Sequence, residues 1–459
     1  MSSRQKMQIW AESALLPNGW ASKVAVAVDG SGRIASVETG APKAGHCVGL
    51  LLPSPVNVHS HAFQRAMAGL TERRGSNPTD SFWTWRELMF RFLSHLTPEH
   101  VEAIAAFVQM EMLEAGYSTN AEFHYLHHTP AGAPYDNVGE MSERIAAAAA
   151  RTGIGLCLLP VHYEFGGCDG RGLGPGQVRF GNGLDRFLRL RDAAGNALKA
   201  LPEDAQIGVA PHSLRAVASE TLKAYADHFP AGPVHMHLAE QIPEVEEVRA
   251  QWGSRPVEWA LDHMALDDRW CLVHCTQMTP AETTRLAATG AVAGLCPITE
   301  SSLGDGIFDG VRWARQEGRL AIGSDSNIRI ALSEELRTLD YSQRLRDHTR
   351  AAFAIERMST GRSLFEQVLQ GGAQAAGRRA GRLEAGHWAD MLALDTTSVI
   401  LHGFNGDTVL DAWIFAGDDG LVSDVWAAGR HKVRQGRHVA RTEIVADYVR
   451  TVDALKGAL

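Results

Sequence analysis

From about residue 50 to residue 380, short apolar runs alternate with helical patterns, and the apolar runs end on residues that can bind or react. GLLLPSPVNVHSH, STNAEFHYLHH, GIGLCLLPVHY, QIGVAPHSL, VHMHLAE, WCLVHCT, VAGLCPIT and LAIGSDS follow one another, mostly with helical sequence between them. Buried parallel strands read as continuous apolar runs, because both of their faces are covered. Repeated strand–helix units imply a parallel sheet, and about eight of them imply a closed, TIM-like (β/α)8 barrel. The runs end at His59 and His61, His124, His162, His212, His237, His274, Thr299 and Asp325. In such barrels the active site lies at the C-terminal ends of the strands, so this chain presents one site from many directions.

The two ends of the chain read differently. MQIWAESALL, KVAVAVDG and RIASVETG are short alternating runs split by turn residues, which predicts a small antiparallel sheet. HWADMLALD and AWIFAGDDGLVSDVWAAGRHKVRQGRH return to short strands after residue 380, and VADYVRTVDALKGAL closes the chain as a helix. The expected organisation is α/β. Residues 1–52 and 381–459 form a small β-sandwich-like domain built from both ends, and residues 53–380 form the barrel inserted between them.

Bulk properties exclude several classes. A net charge of -9 over 459 residues argues against nonspecific nucleic-acid binding, although a pair of arginines can still hold an anionic substrate. The six cysteines are scattered without a CxxC pair, which predicts reduced thiols rather than a disulfide framework. No apolar stretch approaches the about 20 residues of a membrane span, and charges interrupt the N-terminus before a signal-like run. A cytoplasmic protein is expected, with no membrane and no nucleic-acid partner. GGCDGRGLGPGQ is glycine-rich, but lacks the GK[ST] ending of a phosphate loop. It reads as a mobile loop near the site.

Residues two apart on a strand share a face, so His59 and His61 can reach one ion together. In HMHLAE, His237 and Glu240 form an HxxE pair at a strand end. His235 shares the face of His237, and periodicity does not choose between them. His274 and Asp325 each close a further strand. Taken singly, each histidine has an ordinary alternative as a hydrogen-bonded core residue. Jointly they read as a three-histidine, one-aspartate site with an additional His and Glu, a nitrogen and oxygen donor set suited to catalytic zinc.

HxH on the first barrel strand, HxxE on the fifth, His on the sixth and SDS on the eighth resemble the mononuclear deaminase branch of the amidohydrolase superfamily. GRLEAGHWADMLALD is similar to that superfamily's return strand into its small domain. HSHAFQRAMAGL, DSFWTWRELMFR, AEFHYLHH, HSLRAV and GDGIF resemble the formimidoylglutamate deiminases over nearly the whole chain. That resemblance implies one zinc per subunit held by His59, His61, His237 and Asp325. It assigns proton handling to Glu240, His274 and Asp325, and substrate binding to Gln64, Arg86, Tyr125, His212 and Arg215. It implies a small dicarboxylate substrate, N-formimino-L-glutamate, hydrolysed to N-formyl-L-glutamate and ammonia in histidine degradation by a homodimer. Three places depart from the family pattern: Pro-Ser-Pro before HSH, Asn327 after GSDS, and LCPITESSL.

The substrate residues also have a physical reading. Formiminoglutamate carries two carboxylates, and arginine pairs with carboxylates bidentately. Arg86 lies among tryptophans and needs an anion or a stacking face. Its bland alternative is an internal salt bridge to Glu87 or Asp80. Arg215 could be a surface arginine and Tyr125 a packed core tyrosine, while His124, His127 and His128 read as supporting or solvated. Two other functions compete: a sibling deaminase acting on a purine, cytosine or triazine ring, and a non-catalytic scaffold on the same fold. An uncharged ring has no use for two guanidinium groups, and a scaffold usually loses ligands.

Overall fold

Period-two alternation at the N-terminus builds a hairpin: β1 (Met7–Leu16) and β2 (Gly19–Val28) pair antiparallel, with Ile9 opposite Val26. β3 (Ile34–Glu38) adds antiparallel to β2. β4 (His46–Pro53) lies parallel to β1, so the sheet is mixed rather than purely antiparallel. In this computed structural model, which describes residues 7–72 and 82–456 without the side chains of Phe82, Trp83, Thr84, Arg86 and Glu87, the C-terminal strands complete the same sheet.

The run read as one strand through HSH is two. Ser54 and Pro55 interrupt it, and β5 (Val56–Ser60) starts a different sheet. β5, β6 (Thr119–His124), β7 (Gly155–His162) and β8 (Gln206–Ile207) are parallel neighbours, and the short β9 (Ala210–Pro211) also pairs with β7. β10 (Val234–Leu238), β11 (Trp270–His274), β12 (Val292–Leu295) and β13 (Arg319–Ile322) form a second parallel sheet. Isolated parallel bridges join the edges of the two sheets, Val209 to Val234 on one side and Ser60 to Asp325 on the other. The architecture is α/β with parallel sheets.

The intervening helices begin and end where local chemistry requires. Thr97 accepts a hydrogen bond from the His100 amide and caps Pro98–Glu114. Thr279 and Glu282 form a capping box for Pro280–Ala287. Glu140–Thr152 stops at Gly153, whose φ of 74° suits glycine. Thr299, read as a strand end, instead sits on the helix Pro297–Leu303, because Pro297 starts a helical turn as soon as β12 ends.

β14 (Met391–Leu394) pairs antiparallel with β4, and β15 (Val422–Ala427), β16 (Arg430–Arg434) and β17 (Arg437–His438) follow outward. Both chain ends thus share one sheet, with Ile9, Val26, Leu51, Met391 and Trp426 buried together. AWIFA is not a strand. Asp407–Asp411 is helical and continues as a π-turn over Ala412–Ala416, burying Trp413 against Phe365. The bulky Trp-Ile-Phe run favours a strand, but this tertiary contact overrides it.

A buried ion cluster ties this sheet to the parallel half. Arg378 Nε lies 2.7 Å from Asp390 Oδ2, and its Nη2 lies 2.9 Å from Asp204 Oδ2. Arg430 reaches the same Asp204 carboxylate at 2.7 Å.

Candidate metal centre and active-site cavity

His59 points inward from β5, and His61 follows just past its end, with ring centroids 4.6 Å apart. From β10, His237 brings its Nε2 to 3.0 Å from His59 Nε2. Asp325, beyond β13, sets Oδ1 at 3.5 Å from His59 Nε2 and 3.3 Å from His61 Nε2. All four side chains are buried. The choice between His235 and His237 is made by depth along the strand. His235 sits one layer lower, where its Nε2 lies 2.7 Å from the Ala375 carbonyl in the core.

The ring orientations suit metal binding. His61 Nδ1 lies 3.0 Å from the Phe123 carbonyl and His237 Nδ1 lies 3.1 Å from the His212 carbonyl. A ring whose Nδ1–H donates to a carbonyl leaves the Nε2 lone pair facing inward. Burial holds His59, His61 and His237 below the ordinary histidine range, which favours neutral, ligating imidazoles. Three such nitrogens and one carboxylate converging on one point fit a zinc-type cation.

Two features bring Asp325 to this point. Gly323 lets β13 approach β5 so closely that a Cβ there would meet His59 N at 2.6 Å and His59 O at 2.7 Å. The Asp325 amide then donates to His59 O at 2.9 Å, and the His61 amide donates back to Asp325 O at 3.0 Å. Asp325 has φ 46° and His274 has φ 70°, a left-handed conformation that is costly for non-glycine residues and clusters at functional sites. Asn327, one of the departures from the family pattern, braces the turn. Its Nδ2 donates to Asp325 O at 3.1 Å and to Ser60 Oγ at 3.2 Å, and its Oδ1 accepts from Ser324 Oγ at 2.6 Å.

His274 and Glu240 stand beside this quartet. His274 Nε2 lies 3.9 Å from Glu240 Oε1 and 3.9 Å from Asp325 Oδ2. Burial opposes a charge on His274, but Glu240, the hydrogen bond to Glu300 and Asp325 outweigh it and push its pKa up to about 10. Burial raises Glu240 above the ordinary carboxyl range, against the pull of His274 and Arg215. Its backbone is fixed by Glu244, which accepts from the Ala239 and Glu240 amides at 3.2 and 2.9 Å.

A cavity opens over these groups. Gln64, Tyr125, His212 and Arg215 line it together with His61, His237, Glu240, His274 and Asp325. Gln64 Nε2 donates to Tyr125 OH at 2.7 Å, so those two act as one unit. Arg215 Nη2 lies 3.9 Å from Glu240 Oε2, and its buried Nε has no hydrogen-bond partner among the described residues. Trp85, Met89, Phe90, Tyr163 and Phe180 supply apolar wall. The side chain of Arg86 lies outside the described residues, and its backbone belongs to the helix Phe82–Leu93. His124 and His127 are buried away from the cavity, and His127 Nε2 lies 3.0 Å from the Val161 carbonyl.

Several site residues escaped sequence reasoning. Glu300 braces His274, and Glu122 accepts from the Ala62 amide at 2.6 Å, holding the chain just after the HxH pair. Burial pushes Glu122 up to about 7, against the hydrogen bonds from Ala62 and Asn120. A carboxylate in the middle of a buried strand was the available signal for Glu122. The glycine-rich stretch reaches the cavity through Gly166 and Arg171, whose Nη1 lies 2.9 Å from Asp169 and 3.1 Å from Glu247.

A family profile described as Amidohydrolase family matches residues 50–432, and the chain belongs to this family. A second profile, described as Formimidoylglutamate deiminase HutF, N-terminal domain, matches residues 6–46. The chain is 46% identical over 454 residues to the formimidoylglutamate deiminase of Pseudomonas aeruginosa, covering 97% of this chain and 99% of that protein. It is 28% identical over 353 residues to a 5-methylthioadenosine/S-adenosylhomocysteine deaminase of Halobacterium salinarum, covering 75% of this chain and 73% of that protein. Among solved structures, an amidohydrolase from Brucella melitensis aligns with a TM-score of 0.93 and 46% identity, over 98% of this chain and 99% of that one. An adenosine deaminase from Xanthomonas campestris with bound zinc aligns with a TM-score of 0.82 and 22% identity, over 98% of each chain, a likeness of fold.

Proposed function

We propose that this chain hydrolyses N-formimino-L-glutamate to N-formyl-L-glutamate and ammonia. The observation that carries the reading is 46% identity, end to end, with a formimidoylglutamate deiminase. The site supports it, because Arg215 and the carboxylate of Glu240 line one cavity together with His61, His237 and Asp325 of the candidate metal quartet.

In this reading the two parallel sheets, bridged at both edges, close as a (β/α)8 barrel over residues 53–380, and residues 1–52 and 381–459 form the small domain around the shared mixed sheet. His59, His61, His237 and Asp325 would hold one zinc per subunit. Zinc there would supply Lewis-acid activation of the attacking water.

The chain's own groups do the rest. The water oxygen adds to the formimino carbon, and Asp325 accepts its proton. The C=N electrons move onto the imino nitrogen, which takes a proton from Glu240, a carboxyl that burial raises above its ordinary range. His274, charged by its carboxylate neighbours, donates toward the tetrahedral centre. On collapse the proton held by Asp325 passes to the former imino nitrogen and the remaining hydroxyl proton returns to Glu240, so that the C=O bond forms, the bond to that nitrogen breaks and ammonia leaves. Arg215, with Arg86, would bind the two carboxylates, while Gln64, Tyr125 and His212 fix the chain between them.

The ring-deaminase alternative would use the same quartet but leave Arg215, in the cavity lining, without an anionic substrate group. NMR analysis of the products of formiminoglutamate hydrolysis tests the proposal. N-formylglutamate with ammonia is expected. Glutamate with formamide would show cleavage of the other C–N bond and refute it.

A further inference from the structure

The mixed sheet carries a second cluster of metal-ligating side chains, on a different sheet from the strands that supply the quartet. His46 is the first residue of β4, Asp424 lies on β15 and His431 on β16. Asp424 and Trp426, two apart on β15, share a face, and His431 lies opposite Trp426 across the strand pair. Asp424 Oδ1 is 2.7 Å from His431 Nε2 and 3.2 Å from His46 Nε2. All three ligand atoms lie within 4.8 Å of one another. One carboxylate oxygen thus receives two imidazole nitrogens, each presenting the atom best suited to a metal bond.

The rings are held in place. His431 stacks on Trp426 with centroids 4.4 Å apart and planes 20° apart, and His46 meets the same indole edge-on at 5.5 Å. Zinc bonds of about 2.0–2.2 Å in tetrahedral geometry separate neighbouring ligand atoms by about 3.3 Å. The 3.2 Å between His46 Nε2 and Asp424 Oδ1 already matches this, the 2.7 Å between His431 Nε2 and Asp424 Oδ1 must open by about 0.6 Å, and the two imidazoles lie within 4.8 Å of each other. The His46 side chain is 42% exposed, against 12% for Asp424, so one side of the cluster faces solvent and leaves room for water ligands.

We propose that His46, Asp424 and His431 form a second, surface-facing site for a divalent transition cation of the zinc type. Two imidazoles select against calcium and magnesium, which prefer all-oxygen shells. An ion there would join β4, from the N-terminal segment, to β15 and β16, from the C-terminal segment, and so clasp the sheet in which both chain ends meet.

The test uses the holoenzyme with its catalytic metal in place, dialysed against micromolar zinc and analysed for metal content. Wild type is expected to hold two zinc ions per chain, while His46→Gln and Asp424→Asn hold one at the same free zinc. Each substitution should weaken the second site by about tenfold or more, the scale on which even an outer-shell partner changes metal affinity. Zinc should raise the Tm of wild type but not of His46→Gln. Turnover of both variants should stay unchanged, because neither residue touches the cavity. Should Asp424→Asn fail to fold, the half-exposed His46→Gln carries the test alone. Binding of a single zinc by wild type, or equal second-site binding by His46→Gln, overturns the proposal.

Discussion

His274 Nδ1 lies 3.2 Å from Glu300 Oε1, and that same oxygen accepts from the Cys296 amide at 2.8 Å. The carboxylate is anchored to the start of the helix Pro297–Leu303 and in turn fixes the ring of His274. His274 is left with Nε2 facing Glu240 and Asp325. Glu300→Gln keeps the size but removes the charge that helps hold His274 protonated. We expect kcat to fall about tenfold, less than the roughly 10²–10⁴-fold of losing an acid–base group outright, because Glu300 acts through His274. The alkaline limb of the pH–rate profile should move to lower pH while metal content stays constant. An unchanged profile would remove Glu300 from this role.

His237→Ala deletes the Nε2 that sits 3.0 Å from His59 Nε2. Bound metal and activity should both collapse, and circular dichroism should show the fold retained. Full metal content in the variant would exclude His237 as a ligand.

Arg215 lines the cavity with its side chain only partly covered, and its Nε has no hydrogen-bond partner among the described residues. Arg215→Met should lower kcat/KM by an amount equivalent to about 2–5 kcal/mol, the cost of leaving a buried charge partner unpaired. Wild type should also turn over the diamide of the substrate poorly. Equal rates on the dicarboxylate and the diamide would refute a carboxylate-binding role.

Gly323→Ala places a methyl group 2.6 Å from His59 N. Overpacking of this kind costs about 1–3 kcal/mol. The larger effect should fall on the site, since β13 must retreat from β5 and carry Asp325 away from His59. Metal affinity and kcat/KM should drop far more than Tm suggests. A variant with wild-type metal affinity would mean that the strands adjust without disturbing the ligands.

Arg378 joins Asp204 and Asp390 in the interior, and Arg378→Met should destabilise the protein by about 3–5 kcal/mol at neutral pH. Burial would raise Asp204, but Arg430 and Arg378 outweigh it and hold its carboxyl below the ordinary value of 3.8. A depressed folded-state pKa contributes stability that is present above 3.8 and lost as pH falls below it. The gap between wild type and variant should therefore be widest near neutrality and narrow below about pH 4. Denaturant titrations at two pH values decide this, and a gap independent of pH would contradict it.

Much of the architecture was legible because its signals are local. Buried parallel strands are apolar on both faces, so VHMHLAE and LAIGSDS announced their strands, and the polar residues that close them mark the candidate site. The HxH spacing put His59 and His61 on one face from the two-residue period alone. AWIFA misled because its bulky residues suit a strand or a buried helical turn equally, and packing against Phe365 decided between them.

What the sequence determined by itself was therefore the repeated strand–helix order, the strand-end residues and the family likeness, all of which depend on neighbours within a few positions. Tertiary structure alone decided that His237 rather than His235 meets His59, because depth along a strand is set by the strands beside it. It alone paired Glu300 with His274, 26 residues apart, and Arg378 with Asp204, 174 residues apart. It also brought His46 to Asp424, from opposite ends of the chain. Such contacts leave no periodic trace, since their spacing reflects how distant elements pack and not how either one folds.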